Sequence, residues 1–555
     1  MAIVLRKVNR EIRKKIGGGK KSQSSLLPQY VGKKPPCTHA CPSSEDIRGY
    51  LTAIAQGEEY GRSMDDSMEM AWYTLTDKNP MPAIMGRVCP HPCESGCNRK
   101  DKDESVSINR VELSIGNFGI EKKLALKKLT DEKTGKKVAV IGSGPAGISC
   151  AYQLARRGHS VKVYEANAEP GGMLRYGIPA YRLPRDIIQK EYQRIFDLGV
   201  EFIPNTKIGR DISLEQLKSE NDAVFSGIGA QAGWTLGLDG EDSENVYTGV
   251  EFLLKHNLKE ELEIGDHVVV VGGGDTAMDV ARTCLREGAK VSVVYRRSRN
   301  EMPAIEEDII GAEEEGVNFM FLTNPTGLVV ENGKVTGMKL VEMELGEADD
   351  SGRASVSVKE GSDFEIKISC LVPAISQGPD FEGLDAIKND RGWTTADEFG
   401  VVEDKVWSGG DVTRKLGLVT EAFGDGRVAA EDIDRKLMGI EYKKPVEQKL
   451  ILSEKMNMNH YPAYERNNIG ERDAKVRIGD FDEYVIPYTK EQLLAEATRC
   501  MSCGQCFDCN NCWSFCGDGA VNKLPKGQHY EFNLDKCIGC GKCFEECPCG
   551  LIDMV

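Results

Sequence analysis

Nineteen cysteines lie in this 555-residue chain, and they bunch. Five fall between Cys37 and Cys97 and eleven between Cys500 and Cys549, while Cys150, Cys284 and Cys370 stand alone. Gaps of two and three residues let several thiolates converge on one inorganic centre, whereas disulfide frameworks belong to short secreted chains. The expectation is metal held through sulfur in a reducing cytoplasm. No run of 18 apolar residues occurs, so no membrane span is expected, and Met1–Lys7 does not open a secretion signal. The net charge of −16 argues against nucleic acid as the main partner. With 40% hydrophobic residues over this length, three or four domains are expected.

Two glycine loops follow short β-branched runs. The first is Val138-Ala-Val-Ile-Gly142-Ser-Gly144-Pro145-Ala146-Gly147, placed between a strand and a helix. Gly142 serves the tight turn, Gly144 the approach of a pyrophosphate, and Gly147 the packing of helix on strand. The next strand ends at Glu165, where a carboxylate can accept adenosine ribose hydroxyls. The second loop is Val268-Val-Val-Val-Gly272-Gly-Gly274-Asp275-Thr276-Ala277, and its following strand ends in Arg296-Arg297. Guanidiniums there suit a 2′-phosphate and point to NADP(H), with NAD(H) open if one arginine only stacks on adenine. Two loops with different ribose readers imply a tightly held flavin and an exchangeable nicotinamide. Hydride transfer between them needs contact and no protein acid or base, so no catalytic side chain is nominated.

Glu165-x5-Gly171-Gly172, Arg175-Tyr-Gly177-Ile-Pro179, Tyr295-Arg-Arg-Ser-Arg-Asn-Glu-Met-Pro303, Gly409-Gly410-Asp411 and Leu418-Val419-Thr420-Glu-Ala-Phe-Gly-Asp-Gly-Arg427 extend the pattern. Over about residues 37–440 the chain resembles the small subunit of NADPH-dependent glutamate synthase and its relatives. The resemblance implies FAD bound by Gly142, Gly144, Pro145, Ala146, Gly147, Glu165, Gly172, Met173, Leu174, Arg182, Gly410, Asp411, Val419 and Thr420. It implies the nicotinamide nucleotide on Gly272, Gly274, Asp275, Thr276, Ala277, Arg296 and Arg297. It also implies a helical N-terminal domain with two four-iron clusters. This sequence lacks the Cys-x-x-Cys that should precede Cys37, so one cluster is expected there, on Cys41, Cys89, Cys93 and Glu112. Cys37 and Cys97 are then remnants. Ligation by four of the five cysteines and a zinc site are the alternatives.

The tail reads Cys506-x2-Cys509-x2-Cys512-x3-Cys516 and Cys537-x2-Cys540-x2-Cys543-x3-Cys547-Pro548, the two-cluster bacterial ferredoxin spacing. The fourth cysteine of each run serves the other cluster, giving Cys506, Cys509, Cys512 and Cys547 for one and Cys516, Cys537, Cys540 and Cys543 for the other. Cys500, Cys503 and Cys549 are left out, so three [4Fe-4S] clusters are expected in all.

The fold class expected is α/β: two Rossmann-like dinucleotide-binding domains, the NADPH domain inserted in the FAD domain, between an N-terminal helical iron–sulfur domain and a C-terminal ferredoxin-like α+β domain. The boundaries are a basic arm 1–36, an iron–sulfur domain 37–135, FAD segments 136–230 and 370–443, an NAD(P)H domain 231–369, a linker 444–499 and a ferredoxin domain 500–555. The function expected is NAD(P)H:acceptor oxidoreductase, with a multisubunit redox enzyme as partner. A sulfite-reductase-type partner is favoured, with the electron-transfer subunit of a 2-oxoacid oxidoreductase, a glutamate synthase small subunit or a non-catalytic wiring subunit as alternatives.

Overall fold

The computed structural model describes residues 25–348, 353–468 and 470–555. The apolar stripe Val4, Val8, Ile12 and Ile16 of the basic arm lies outside them. The chain divides into two units, one of residues 1–124, 442–469 and 487–555, the other of 125–441 and 470–486.

In the larger unit, each run of β-branched residues becomes a strand of a parallel sheet. The first sheet has the order Val401–Glu403, Val406–Ser408, Ala223–Ser226, Lys137–Ile141, Ser160–Tyr164, Glu201–Ile203, parallel except for its first strand. Helices Pro145–Ala155 and Val419–Leu437 meet where Gly426 has no side chain, since a Cβ there would stand 2.0 Å from the carbonyl oxygen of Ala146. The second sheet runs Cys370–Pro373, His267–Val271, Lys290–Tyr295, Asn318–Phe321, all parallel. A four-stranded antiparallel sheet, built on the long strand Lys334–Ala348, lies in the chain between Asn318–Phe321 and Cys370–Pro373.

The chain enters the second sheet's domain through Ala232–Gly233 and leaves through Gln377–Gly378, and these two crossings pair antiparallel. The expected boundary at residue 370 is therefore early. Cys370–Pro373 is an edge strand of the nicotinamide sheet, and the return comes a few residues later.

The smaller unit joins helices and ferredoxin strands. Asp46 caps Ile47–Ala55, and Ser63 with Asp66 forms a capping box for Met64–Thr76, which satisfies orphan amides at both starts. Pro82–Val88 crosses Ile108–Glu121 at backbone contact. A Cβ on Gly86 would sit 2.4 Å from Leu113 Cα, and one on Gly116 2.2 Å from the Ala83 nitrogen. That crossing carries Cys89, the C-cap of the first helix, toward Glu112 on the second.

Two expected segments are corrected. Pro28–Tyr30 is no part of a free arm: it pairs antiparallel with Ile552–Met554, and Lys33 donates to Gly550 and Asp553. Residues 444–499 are more than a linker. Within the smaller unit, Lys490–Thr498 is a capped helix whose buried Glu496 accepts from the amides of Ser107 and Asn467. Within the larger unit, Gly470–Ile486 is bound by Arg477, which pairs with Glu315 beside Arg282 and Arg286. The Arg286 and Arg282 guanidiniums hold the Glu315 carboxyl down at about 2 against the opposing effect of burial.

Candidate redox sites

At the first loop Gly142 has φ 87°, and a Cβ on it would lie 2.5 Å from the carbonyl oxygen of Gly227. A Cβ on Gly147 would lie 1.9 Å from the carbonyl oxygen of Gly142. Gly144 differs: an added Cβ would meet nothing closer than Gly172 Cα at 4.0 Å. The middle of the loop thus faces open space at the start of Pro145–Ala155, where free amides and the helix dipole favour an anion. A pyrophosphate fits that cradle.

Glu165 is 4% exposed. One carboxylate oxygen accepts from the Ser143 amide at 3.0 Å and the Ser143 hydroxyl at 2.6 Å; the other accepts from the Asn167 amide and side chain, both at 3.0 Å. These four donors match the carboxylate's four lone-pair positions, so a ribose hydroxyl would have to exchange with one of them. Gly172, half-buried Met173 and buried Leu174 follow in the chain, and Gly172 lies against Gly144. Gly410 packs toward Ala146, and the Asp411 carboxylate accepts from the Gly417 amide at 3.1 Å, its acidity weakened by burial. Val419 and Thr420 open the 19-residue helix. Arg182 stands apart from this set. Its guanidinium is buried on Asp279 at 2.8 Å and Asp308 at 2.9 Å, so it is an ion-pair residue rather than a flavin donor.

The second loop repeats the first. A Cβ on Gly272 would lie 2.3 Å from the carbonyl oxygen of Ala374, and one on Gly274 nothing closer than Pro303 Cγ at 4.0 Å. Asp275 opens helix Asp275–Arg286, with Thr276 and Ala277 after it, and its carboxylate accepts from the Ile305 amide at 2.8 Å. The two arginines separate. Arg296 is exposed at the strand end, whereas Arg297 is 8% exposed and donates from Nε to the Ala354 carbonyl oxygen at 2.8 Å. Arg297 braces the antiparallel sheet, and Arg296 is the more accessible guanidinium of the pair.

In the smaller unit Cys41, Cys89, Cys93 and Glu112 share one buried electrostatic neighbourhood. Asn79 donates to Glu112 at 2.7 Å. A second buried carboxylate, Glu45, belongs to the same group and was not anticipated, although it stands four residues after Cys41. Burial raises both carboxyls. His91 is a backbone participant: its amide lies 3.4 Å from Cys89 Sγ. His39 is exposed.

Cys506, Cys509, Cys512 and Cys547 are mutual neighbours, and Cys516, Cys537, Cys540 and Cys543 line one small cavity with Val521 and Phe532. Cys549 is the unexpected member, 3.7 Å from Cys547 Sγ. Asp508 was also missed; its amide points at Cys506 Sγ, and its carboxylate takes Tyr60 OH and faces His529 Nδ1, each at 2.8 Å. Tetrahedral zinc with bonds of about 2.3 Å holds thiolates roughly 3.8 Å apart. Among the described residues, no three cysteine sulfurs lie within 4.8 Å of one another; the group of three ligand atoms that does is Cys506, Asp508 and His529. Cys150, Cys284 and Cys370 are fully buried in the packing of the larger unit.

Fold and sites together define a flavin-type oxidoreductase with two dinucleotide domains and iron–sulfur units drawn from both ends of the chain. Comparison with known proteins agrees. Residues 136–426 match the pyridine nucleotide-disulphide oxidoreductase family, 30–124 match dihydropyrimidine dehydrogenase domain II with its 4Fe-4S cluster, and 531–552 match a 4Fe-4S binding domain. The NADPH-Fe(3+) oxidoreductase subunit beta of Geobacter sulfurreducens is 37% identical over 519 residues, covering 84% of this chain and 75% of that one. The NADP(+)-dependent formate dehydrogenase subunit beta of Moorella thermoacetica is 37% identical over 508 residues, 84% of this chain and 70% of that one. The glutamate synthase [NADPH] small chain of Escherichia coli K12 is 35% identical over 424 residues, 72% and 88%. The chain belongs to the glutamate-synthase small-subunit-like family of FAD- and 4Fe-4S-containing NAD(P)H oxidoreductases. It is an FAD-dependent NAD(P)H oxidoreductase that passes electrons to or from a redox partner. No helix among the described residues is long and apolar enough to cross a membrane.

Proposed function

We propose that the chain is the NADPH-linked subunit of a cytoplasmic multisubunit redox enzyme, and that its partner docks at the C-terminal cysteine pair. The observation that carries this is the second C-terminal site, where Cys540 is exposed while Cys543 is buried. Electron transfer to a partner needs one centre at the surface, and this one offers it. When bound, FAD supplies hydride chemistry and the clusters supply one-electron chemistry. The chain's own part is positional. Loop amides at Gly144 and Gly274 hold pyrophosphates, Glu165 holds the flavin's ribose, and Arg296 selects the 2′-phosphate. Cys41, Cys89, Cys93 and Glu112 hold one cluster, and the eight C-terminal cysteines hold two.

A sulfite-reductase-type partner suits the appended ferredoxin pair. The beta-subunit relatives favour a second reading, in which the partner is the catalytic subunit of a dehydrogenase. Purifying the native complex under anaerobic conditions distinguishes the two by the partner's identity. Cys540→Ser tests the docking site: NADPH oxidation with a small dye should persist and transfer to the native partner should fall at least tenfold. Unchanged transfer to the partner would place the exit elsewhere.

A further inference from the structure

Cys37 and Cys97 have no place in the three sites above, and neither do Cys500 and Cys503. The structure brings these four together. They line one small, mostly apolar cavity with Pro35, Pro36, Leu51, Val106, Ile108 and Met501. Two donors come from the N-terminal helices and two from the segment that leads into the ferredoxin run. We propose that Cys37, Cys97, Cys500 and Cys503 ligate a fourth four-iron cluster, completed from opposite ends of the sequence.

Several independent features support a cluster here. Cys500 has the local geometry of the expected ligands: the amide two residues on, at Ser502, points at its sulfur at 3.5 Å. The same amide contact occurs from His91 to Cys89 at 3.4 Å and from Asp508 to Cys506 at 3.5 Å. Asn98 Nδ2 reaches Cys503 Sγ at 3.6 Å. Such donors stabilise thiolate charge and tune a cluster's potential. Arg48 and Arg99 also line the cavity, and Arg48 Nε is buried without a hydrogen-bond acceptor among the described residues. A guanidinium in that state is explained by anionic sulfur beside it. The four sulfurs contain no set of three within 4.8 Å, too open for a single zinc ion.

The position gives the site a role. Cys37 lies on helix Pro36–Ala40, and Cys41, its C-cap, serves the neighbouring N-terminal site one turn away. Cys503 and Cys506 are three residues apart, a span of at most about 11 Å. Tyr461 lies beside Cys500, Cys503, Cys509 and Cys549 at once. The fourth cluster therefore stands between the N-terminal site and the ferredoxin pair and makes one continuous relay within the smaller unit. It also explains why Cys500 and Cys503 continue the ferredoxin run at the same spacing without belonging to it.

The inference rests on the cluster-bearing reading of the other three sites, and the test separates the two. Anaerobically purified chain should contain about sixteen irons. Cys37→Ser and Cys500→Ser should each lose about four of them and should remove the same EPR component, although 463 positions separate them. In wild-type protein, alkylation followed by mass spectrometry should find Cys37, Cys97, Cys500 and Cys503 protected until iron is chelated, a readout that needs no variant to fold. About twelve irons with these four thiols alkylated in native protein would overturn the fourth cluster and leave the other three standing. Loss of different EPR components from the two variants would overturn the shared site.

Discussion

The two glycine loops of the larger unit are built alike and finished differently. In each, a Cβ added to the first glycine would stand against a carbonyl oxygen, at 2.5 Å for Gly142 and 2.3 Å for Gly272, and one added to the middle glycine would meet nothing closer than 4.0 Å. The first helix then opens with Pro145, the second with Asp275. Glu165, the proposed first ribose reader, is buried and carries four hydrogen bonds; Arg296, the proposed second, is exposed. Shared backbone geometry provides a pyrophosphate cradle in both. We propose that the side chains decide residence time. A buried, pre-oriented reader over an uncharged helix start retains its dinucleotide. An exposed cation, with a carboxylate at the helix start opposing the phosphates, lets its dinucleotide exchange.

The largest effect should come from the packing glycine. Gly147→Ala places a Cβ 1.9 Å from the Gly142 carbonyl oxygen, and either the loop or the helix must move. Flavin content, read by absorbance of the purified protein, should drop more than tenfold. Gly274→Ala has room for its Cβ and should leave flavin content intact while weakening NADPH. If both variants keep their flavin, the loop geometry is not what retains it.

Arg296→Ala should raise KM for NADPH roughly 10- to 150-fold and barely move KM for NADH, because a charge-assisted bond to phosphate is worth about 1.5–3 kcal/mol. Arg297→Ala should instead lower thermal stability, through the lost bond to Ala354. Equal KM effects of Arg296→Ala on both nucleotides would remove the arginine from the 2′-phosphate. Glu165→Gln turns an amide toward one of its donor groups, at about 1–3 kcal/mol. Flavin should then wash out on prolonged dialysis that wild type survives. Retention equal to wild type would make the carboxylate a loop brace alone.

The smallest change is expected from Asp275→Asn. The amide can keep the bond to the Ile305 amide and loses the charge facing the phosphates. A charge at a helix start is worth about 0.3–1 kcal/mol, so NADPH should bind roughly two- to fivefold more tightly by titration calorimetry. Weaker binding would show that the carboxylate assists rather than opposes.

Local signals carried far in this chain. Gly142, Gly272 and the strands before them are legible because a glycine loop, its strand and its helix lie within about 30 contiguous residues. The ferredoxin spacing is legible for the same reason. What escaped was non-local. The pairing of Pro28–Tyr30 with Ile552–Met554 joins segments that no local pattern links. Cys500 and Cys503 read as leftovers because their cavity partners sit near the other terminus. Arg182 and Arg297 carry the right chemistry for a ligand, and only their surroundings, Asp279 and Asp308 for one and Ala354 for the other, show that they are engaged elsewhere. Glu45 was missed because no spacing pattern links it to Glu112, its buried neighbour.

The most direct test of a retained flavin served by an exchanging nicotinamide is one anaerobic experiment on the as-purified protein. Bound nucleotides are identified by mass spectrometry after denaturation, and a second aliquot is mixed with one equivalent of NADPH while flavin absorbance is followed. The account predicts FAD in the purified protein, little or no bound nicotinamide, and prompt bleaching of the flavin band. Nicotinamide retained at stoichiometric level, or a flavin that NADPH leaves oxidised, would contradict it.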